Sequence, residues 1–211
     1  MDQLFEFFKE LVHPESIIRY GGIYLLLIVV FAETGLFVGF FLPGDSLLFT
    51  AGLFCATGIL KIGLIWLILL IILAAVLGNI VGYHFGKRVG PYLFRRKSGI
   101  FFKQKHLETA NRFYQKHGNK TIILCRFLPI VRTFAPIVAG IVRIKYHKFL
   151  FNSLVGALLW VNILVLTGYY LGIYVPKTKD YLEYIVIFLI VITSIPFVFN
   201  AIKLKIKKEN K

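Results

Sequence analysis

Four charged side chains stand inside sequence that is otherwise apolar: Glu33, Asp45, Arg126 and Arg132. Glu33 lies within the run 21–42, and Asp45 follows the break Pro43-Gly44 in "FVGFFLPGDSLLFTAG", residues 37–52. The two arginines flank Pro129 in "RFLPIVRTFAPIVAG", residues 126–140, which also contains Pro136. A carboxylate short of water holds its proton more firmly than in solution, and a nearby guanidinium loosens it again, so such a pair exchanges protons near neutral pH. Arginine stays charged and grips phosphate through two parallel N–H groups. The set therefore suits movement of a phosphate-bearing substrate. Arg126 and Arg132 are the candidate substrate-binding groups. Glu33 and Asp45 are the candidate proton-coupling groups, or counter-ions released on binding. The plain alternative is a set of salt bridges, and Asp45 could also cap a helix beginning at Ser46.

Other polar residues point elsewhere. Asn79 and Asn162 suit hydrogen bonding between helices. Trp66 and Trp160 read as packing or lipid-anchoring residues, and His84 and His147 as interfacial ones. Cys55 and Cys125 have no metal or redox spacing. No histidine lies in H-E-x-x-H spacing, and Ser46 beside Asp45 has no histidine in its segment. The expectation is a non-enzyme without metal or cofactor.

The elements that must position these charges are written in the composition. The chain has 211 residues, 58% hydrophobic and 17% charged, with a mean hydropathy of +0.76. Too few charged residues remain to clothe a soluble domain. Four apolar stretches, 21–42, 62–85, 149–175 and 184–202, each reach the roughly 20 residues that cross a bilayer as a helix. The net charge of +15 is gathered between Lys87 and Lys120 and in the lysine tail. Basic clusters beside apolar spans are topology signals and contacts for anionic headgroups rather than a nucleic-acid footprint. The first fifteen residues carry Asp2, Glu6, Glu10 and Glu15 and no long apolar core, so no cleavable signal peptide is expected.

An internal repeat organises the chain. Phe41-Leu42-Pro43 recurs as Phe127-Leu128-Pro129 (127 − 41 = 86), and Gly82-Tyr83-His84-Phe85-Gly86 recurs as Gly168-Tyr169-Tyr170-Leu171-Gly172 at the same offset (168 − 82 = 86). Ala51-Gly52 returns as Ala139-Gly140, two positions further on. Each copy reads as a broken apolar segment followed by a full-length helix. The second broken segment, 121–141, holds two prolines and Arg132, which a spanning helix tolerates badly. Basic residues also flank it on both sides, so a hairpin that turns back keeps both clusters cytoplasmic. The predicted architecture is an all-α polytopic membrane protein: an inverted-topology repeat with two re-entrant helical hairpins and three to four spanning helices. The expected hairpin breaks are Pro43, Gly44, Pro129 and Pro136. An N-terminal segment, 1–16, precedes a transport domain at 17–175, with repeats at about 17–90 and 101–175. A spanning helix and basic cytoplasmic tail follow at 176–211. Residues 101–117 have the periodicity of an amphipathic surface helix. The side of the N-terminus stays open.

The stretches Glu33 with "GFFLPGDSLLFTAG" at 39–52, "GNIVGYHFGKRVG" at 78–90 and "RFLPIVRTFAPIVAG" at 126–140 resemble the DedA family. Its domain also occurs in eukaryotic VTT (SNARE-associated Golgi) proteins. The resemblance covers roughly residues 17–175. It implies that Glu33, Asp45, Arg126 and Arg132 fall on the family's required acidic and basic positions. It further implies lipid translocation, of undecaprenyl phosphate or a phospholipid, with dependence on the proton-motive force. The expected partners are protons and anionic or phosphate-bearing lipids of a bacterial cytoplasmic membrane, with no nucleic acid. Oligomeric state, a homo-oligomer included, is left open. A proton-coupled ion antiporter and a non-transporting envelope scaffold are the alternatives.

Overall fold

A computed structural model describes residues 14–36, 44–95, 120–126 and 129–174. Every element among them is helical: α1 (Pro14–Gly35), α2 (Gly44–Ala56), α3 (Leu64–Arg95), α4 (Lys120–Cys125), α5 (Pro129–Ile141) and α6 (Tyr146–Tyr174). The expectations for the amphipathic stretch 101–117, the last apolar span, the lysine tail and Pro43 lie outside the described residues.

Among the described residues two helices are long and apolar enough to cross a membrane, Leu64–Gly90 with 27 residues and Tyr146–Tyr174 with 29. At 1.5 Å per residue each covers about 40 Å, more than the ~30 Å of hydrocarbon. Exposed Leu69, Leu73, Leu77, Val81 and Phe85 recur every four residues along α3. They make an apolar stripe about 24 Å long, a surface suited to lipid. The described residues form an all-helical array with two helices fit to span a bilayer. The helix α3 runs on past the expected end at Phe85 to Arg95, because Lys87 and Arg88 can extend their charged ends from a helix without ending it.

Between the two long helices the short ones cross at glycines. A Cβ at Gly52 would strike the Val165 carbonyl, and one at Gly168 would strike the Phe49 carbonyl, so α2 and α6 touch backbone to backbone. Gly140 meets Tyr83 and Gly86 meets Ile137 in the same way, which seats α5 on α3. The sequence repeat pairs Gly52 with Gly140, and Gly168 with Gly82, one turn before Gly86. Each short helix therefore packs on the long helix of the other half, the second crossing lying one helical turn away from the first in register. A third close crossing joins Gly35 of α1 to Gly78 of α3. Leu26, Val30, Leu47, Leu48, Leu67, Ile71, Val161 and Val165 fill the core among α1, α2, α3 and α6.

Chain reversals follow ordinary rules. Gly22 (φ 55) kinks α1, and Gly58 (φ 74) supplies the left-handed turn after α2. At the end of α5 the Ile144 N–H donates to Ala139 O (3.0 Å) and the Arg143 N–H to Gly140 O (3.1 Å). This Schellman closure places Arg143 at φ 58, where glycine is the usual occupant. Pro136, expected as a break, lies inside α5. Its ring packs toward Gly82 of α3; a proline is tolerated in a membrane helix that neighbours support.

Candidate functional site

The site forms where α1, α2, α3, α5, α6 and the turn after α4 converge. Glu33 sits near the end of α1 and is only 2% exposed, in company with leucines and valines. Asp45 lies in the first turn of α2. Arg132, in the first turn of α5, points one guanidinium nitrogen at each carboxylate: Nη2 donates to Glu33 Oε1 and Nη1 to Asp45 Oδ1. One cation thus neutralises two anions from separate helices, and the three side chains are tied into one unit. Gly44 makes this approach feasible, since a Cβ there would collide with the Glu33 carboxylate.

Trp160 of α6 completes that unit. Its Nε1 donates to Asp45 Oδ1 at 2.8 Å, and its ring lies under two cations, with Arg132 Cζ at 4.6 Å and Arg126 Cζ at 5.5 Å. Cation–π contacts of this kind contribute about 0.5–2 kcal/mol each, more as water is excluded.

Arg126 is held differently. Among the described residues it forms no ion pair, although it is 6% exposed. Its Nη1 donates to Ser153 O at 3.2 Å. It also reaches the Asn79 amide oxygen at 2.5 Å, with the amide turned so that its oxygen faces the donors. In that orientation Ser153 Oγ also donates to the Asn79 oxygen at 2.5 Å, and the Asn79 nitrogen donates to Thr34 O at 3.2 Å. The Arg126 side chain passes beside Gly156, where a Cβ would stand 3.1 Å from its Cδ. Ser153, Gly156 and Trp160 are spaced i, i+3 and i+7, one face of α6 along which Arg126 lies. Its Nε and Nη2, like Arg132 Nε and Glu33 Oε2, are buried without a hydrogen-bond partner.

A small cavity of about 20 Å³ opens beside these groups, enough for about one water. Arg126, Arg132, Thr34, Asn79 and Ser153 border it, with Ile122 and Phe149 among the apolar walls. Neither Glu33 nor Asp45 borders it. The lining is cationic and neutral-polar, and the acids outside it are both bonded to Arg132. Among the described residues no three His, Cys, Asp or Glu side chains gather as a metal site would require.

Comparison with known proteins shows the family of the chain. The VTT domain matches residues 42–170. Protein DedA of Escherichia coli strain K12 is 39% identical over 197 residues, 92% of this chain and 90% of that protein. The chain belongs to the DedA family of VTT-domain membrane proteins. Another relative is the inner membrane protein YqjA of the same strain, 35% identical over 178 residues, 84% of this chain and 77% of its own length. An uncharacterised membrane protein of Mycobacterium leprae is 38% identical over 191 residues, covering 90% and 84%. No solved structure matches.

Within this DedA-family chain, all four charges singled out in the sequence meet around one centre. Glu33, Asp45 and Arg132 form the ion cluster, and Arg126 stands beside it on the cavity side. Asp45 spends its carboxylate on Arg132 and Trp160, across the fold, and α2 begins one residue before it at Gly44. Pro43 is outside the described residues, and Pro129 begins α5. Asn79 bonds between helices as expected, whereas Asn162 donates to Leu158 O of its own helix (2.7 Å). Trp160 was expected to pack or to anchor in lipid; it packs, buried in the core, and it is also a member of the site. The signal was available: residue 160 falls in the middle of the run 149–175, far from the ends where interfacial tryptophans belong. Trp66, at the start of α3 and largely exposed, fits the lipid-facing expectation.

Proposed function

We propose that this chain is a transporter of a phosphate-headed lipid, undecaprenyl phosphate or a phospholipid, in a bacterial cytoplasmic membrane, with protons as the coupling ion, and that it is not an enzyme. The observation that carries this reading is the cavity bordered by both arginines and by neither carboxylate. A cation-binding antiporter would turn its acids toward the ligand; here the cations face the space.

The charge pattern supports coupling. Among the described residues Arg132 forms two ion pairs and Arg126 forms none. A phosphate arriving at Arg126 brings further negative charge close to Glu33 and Asp45. A proton on either acid offsets that charge and frees one Arg132 nitrogen for the phosphate. Anion and proton then favour each other's binding, and by linkage the effect is mutual. Arg126 and Arg132 grip the headgroup, and Glu33 and Asp45 carry the protons. A phosphate is larger than the present cavity, so loading requires the short helices to part.

The membrane arrangement follows the same reading. Helices α2 and α5 have 13 residues each, about 20 Å, too short to cross. Together with α1 and α4 they suit the arms of two re-entrant hairpins, entering from opposite faces and meeting at the ion cluster. Broken helices of this kind build substrate sites at the junction of inverted repeats.

Reconstitution into liposomes tests the reading. Wild-type protein should move a short-chain phosphatidic acid between leaflets faster with a pH gradient than without, and Arg126→Gln should not. No lipid movement under any gradient would end this proposal, and cation-dependent proton flux without lipid would install the antiporter in its place.

A further inference from the structure

The two arginines differ in which part of the guanidinium is still free. Arg132 has committed Nη1 and Nη2, its outer pair, to Asp45 and Glu33. Arg126 has committed Nη1 alone, to Ser153 O and, in the orientation its donors require, the Asn79 oxygen. Its Nε and Nη2 are both unclaimed and buried. Those two N–H groups run parallel along one side of the guanidinium, the edge that matches two oxygens of a phosphate or carboxylate. A buried cation with this edge empty and no counter-ion costs several kcal/mol unless an anion arrives.

The sequence pointed only to helix–helix hydrogen bonding for Asn79, yet it is the residue that fixes this edge. Its amide oxygen takes Nη1, while its nitrogen is anchored on Thr34 O of α1. Being neutral, the amide orients the guanidinium without discharging it. Gly156 leaves the space through which the side chain reaches that position. Trp160 supports the other side by its ring alone.

We infer that Asn79 is the specificity-determining residue of an oxyanion seat, in which the Nε–Nη2 edge of Arg126 holds a phosphate group bidentately. This deepens the transport reading and rests on it for the ligand's class. Arg132 is then the lock that holds the two acids, and Arg126 is the group that meets the headgroup first. Asn79 is a positioning residue whose neutrality keeps the seat open.

The decisive variant is Asn79→Asp, which puts a carboxylate against Nη1 and gives Arg126 an internal counter-ion. The full chain is used in detergent micelles and in liposomes, with short-chain phosphatidic acid and inorganic phosphate as probes. In liposomes the KM for phosphatidic acid should rise about tenfold or more, with kcat changed far less. In micelles the thermal stabilisation that phosphatidic acid gives the wild type should vanish. A folded Asn79→Asp protein with KM within about twofold of wild type and undiminished stabilisation overturns the inference. If that variant does not fold, Gly156→Ala decides by the same readouts, because its Cβ would displace Arg126 at Cδ: a raised KM supports the seat and an unchanged one overturns it. Wild type stabilised by phosphatidic acid that moves none, with stabilisation lost in the variant, keeps the seat and refutes transport. Lipid movement indifferent to Asn79→Asp does the reverse. Stabilisation by inorganic phosphate as strong as by the lipid, and lost in the variant, keeps the seat and makes free phosphate its ligand.

Discussion

Removing the charge of Arg132 should reveal how much of the fold hangs on the ion cluster. Arg132→Met keeps length and apolar volume but leaves Glu33, 2% exposed, with no ion-pair partner. Asp45 keeps only the Trp160 N–H at 2.8 Å. Breaking a buried pair by deleting one partner costs about 3–5 kcal/mol, since a buried charge is stranded. For a chain of this size that is a fall in Tm of roughly 6–20 °C. The cost comes chiefly from the ionised Glu33 carboxylate left buried without its partner, so the deficit should shrink as pH falls and that carboxylate takes up a proton. The triple variant Glu33→Gln, Asp45→Asn, Arg132→Met removes all three charges of the cluster together and should recover to within ~2 kcal/mol of wild type. It should nevertheless transport nothing. The assay is thermal unfolding in one detergent, at two pH values, with lipid movement measured on the same preparations. An Arg132→Met protein that melts within about 2 °C of wild type, or a triple variant no more stable than the single one, would refute the reasoning.

Three further outcomes are expected. Gly44→Ala forces a Cβ into the Glu33 carboxylate and should cost about 1–3 kcal/mol, with transport lost by more than stability explains; thermal unfolding beside the liposome assay checks it. Trp160→Phe keeps an aromatic ring under the arginines but removes the donor to Asp45, for a loss of about 1–3 kcal/mol; the loss should be much smaller in an Asp45→Asn background, as a double-mutant cycle would read. Arg143→Gly relieves an exposed residue held at φ 58 and should stabilise by about 1 kcal/mol without altering transport, measured by the same two assays.

Much of the site was legible because charge is conspicuous in apolar sequence. Glu33, Asp45, Arg126 and Arg132 stand out by cost alone, and the recurrence of Phe-Leu-Pro suggested that two distant segments are related. Spacing could not show how the charges divide. That Arg132 takes both acids while Arg126 takes none depends on where α5 sits against α1 and α2, and that is set by Gly140 and Gly86 at the crossing with α3. The interhelical bonding of Asn79 was legible but its partners were not, and Ser153 gave no signal, since a lone amide or hydroxyl in an apolar helix carries no direction. Trp160 packs as the sequence suggested, but its bond to Asp45 and its stacking under the arginines depend on how α6 faces α2 and α5, which spacing does not give. Pro136 was misread because a proline was taken as a break, whereas a helix supported on α3 carries it within its length.

The account's central claim is that one anionic headgroup and at least one proton occupy this site together. Its most direct test is proton uptake, read by a pH-sensitive dye trapped in liposomes, while short-chain phosphatidic acid is moved by the reconstituted chain. The account predicts proton movement that starts only when the lipid is added, that scales with lipid moved, and that disappears in Glu33→Gln. Lipid movement at full rate with no proton uptake, or proton flux equal with and without lipid, would contradict it.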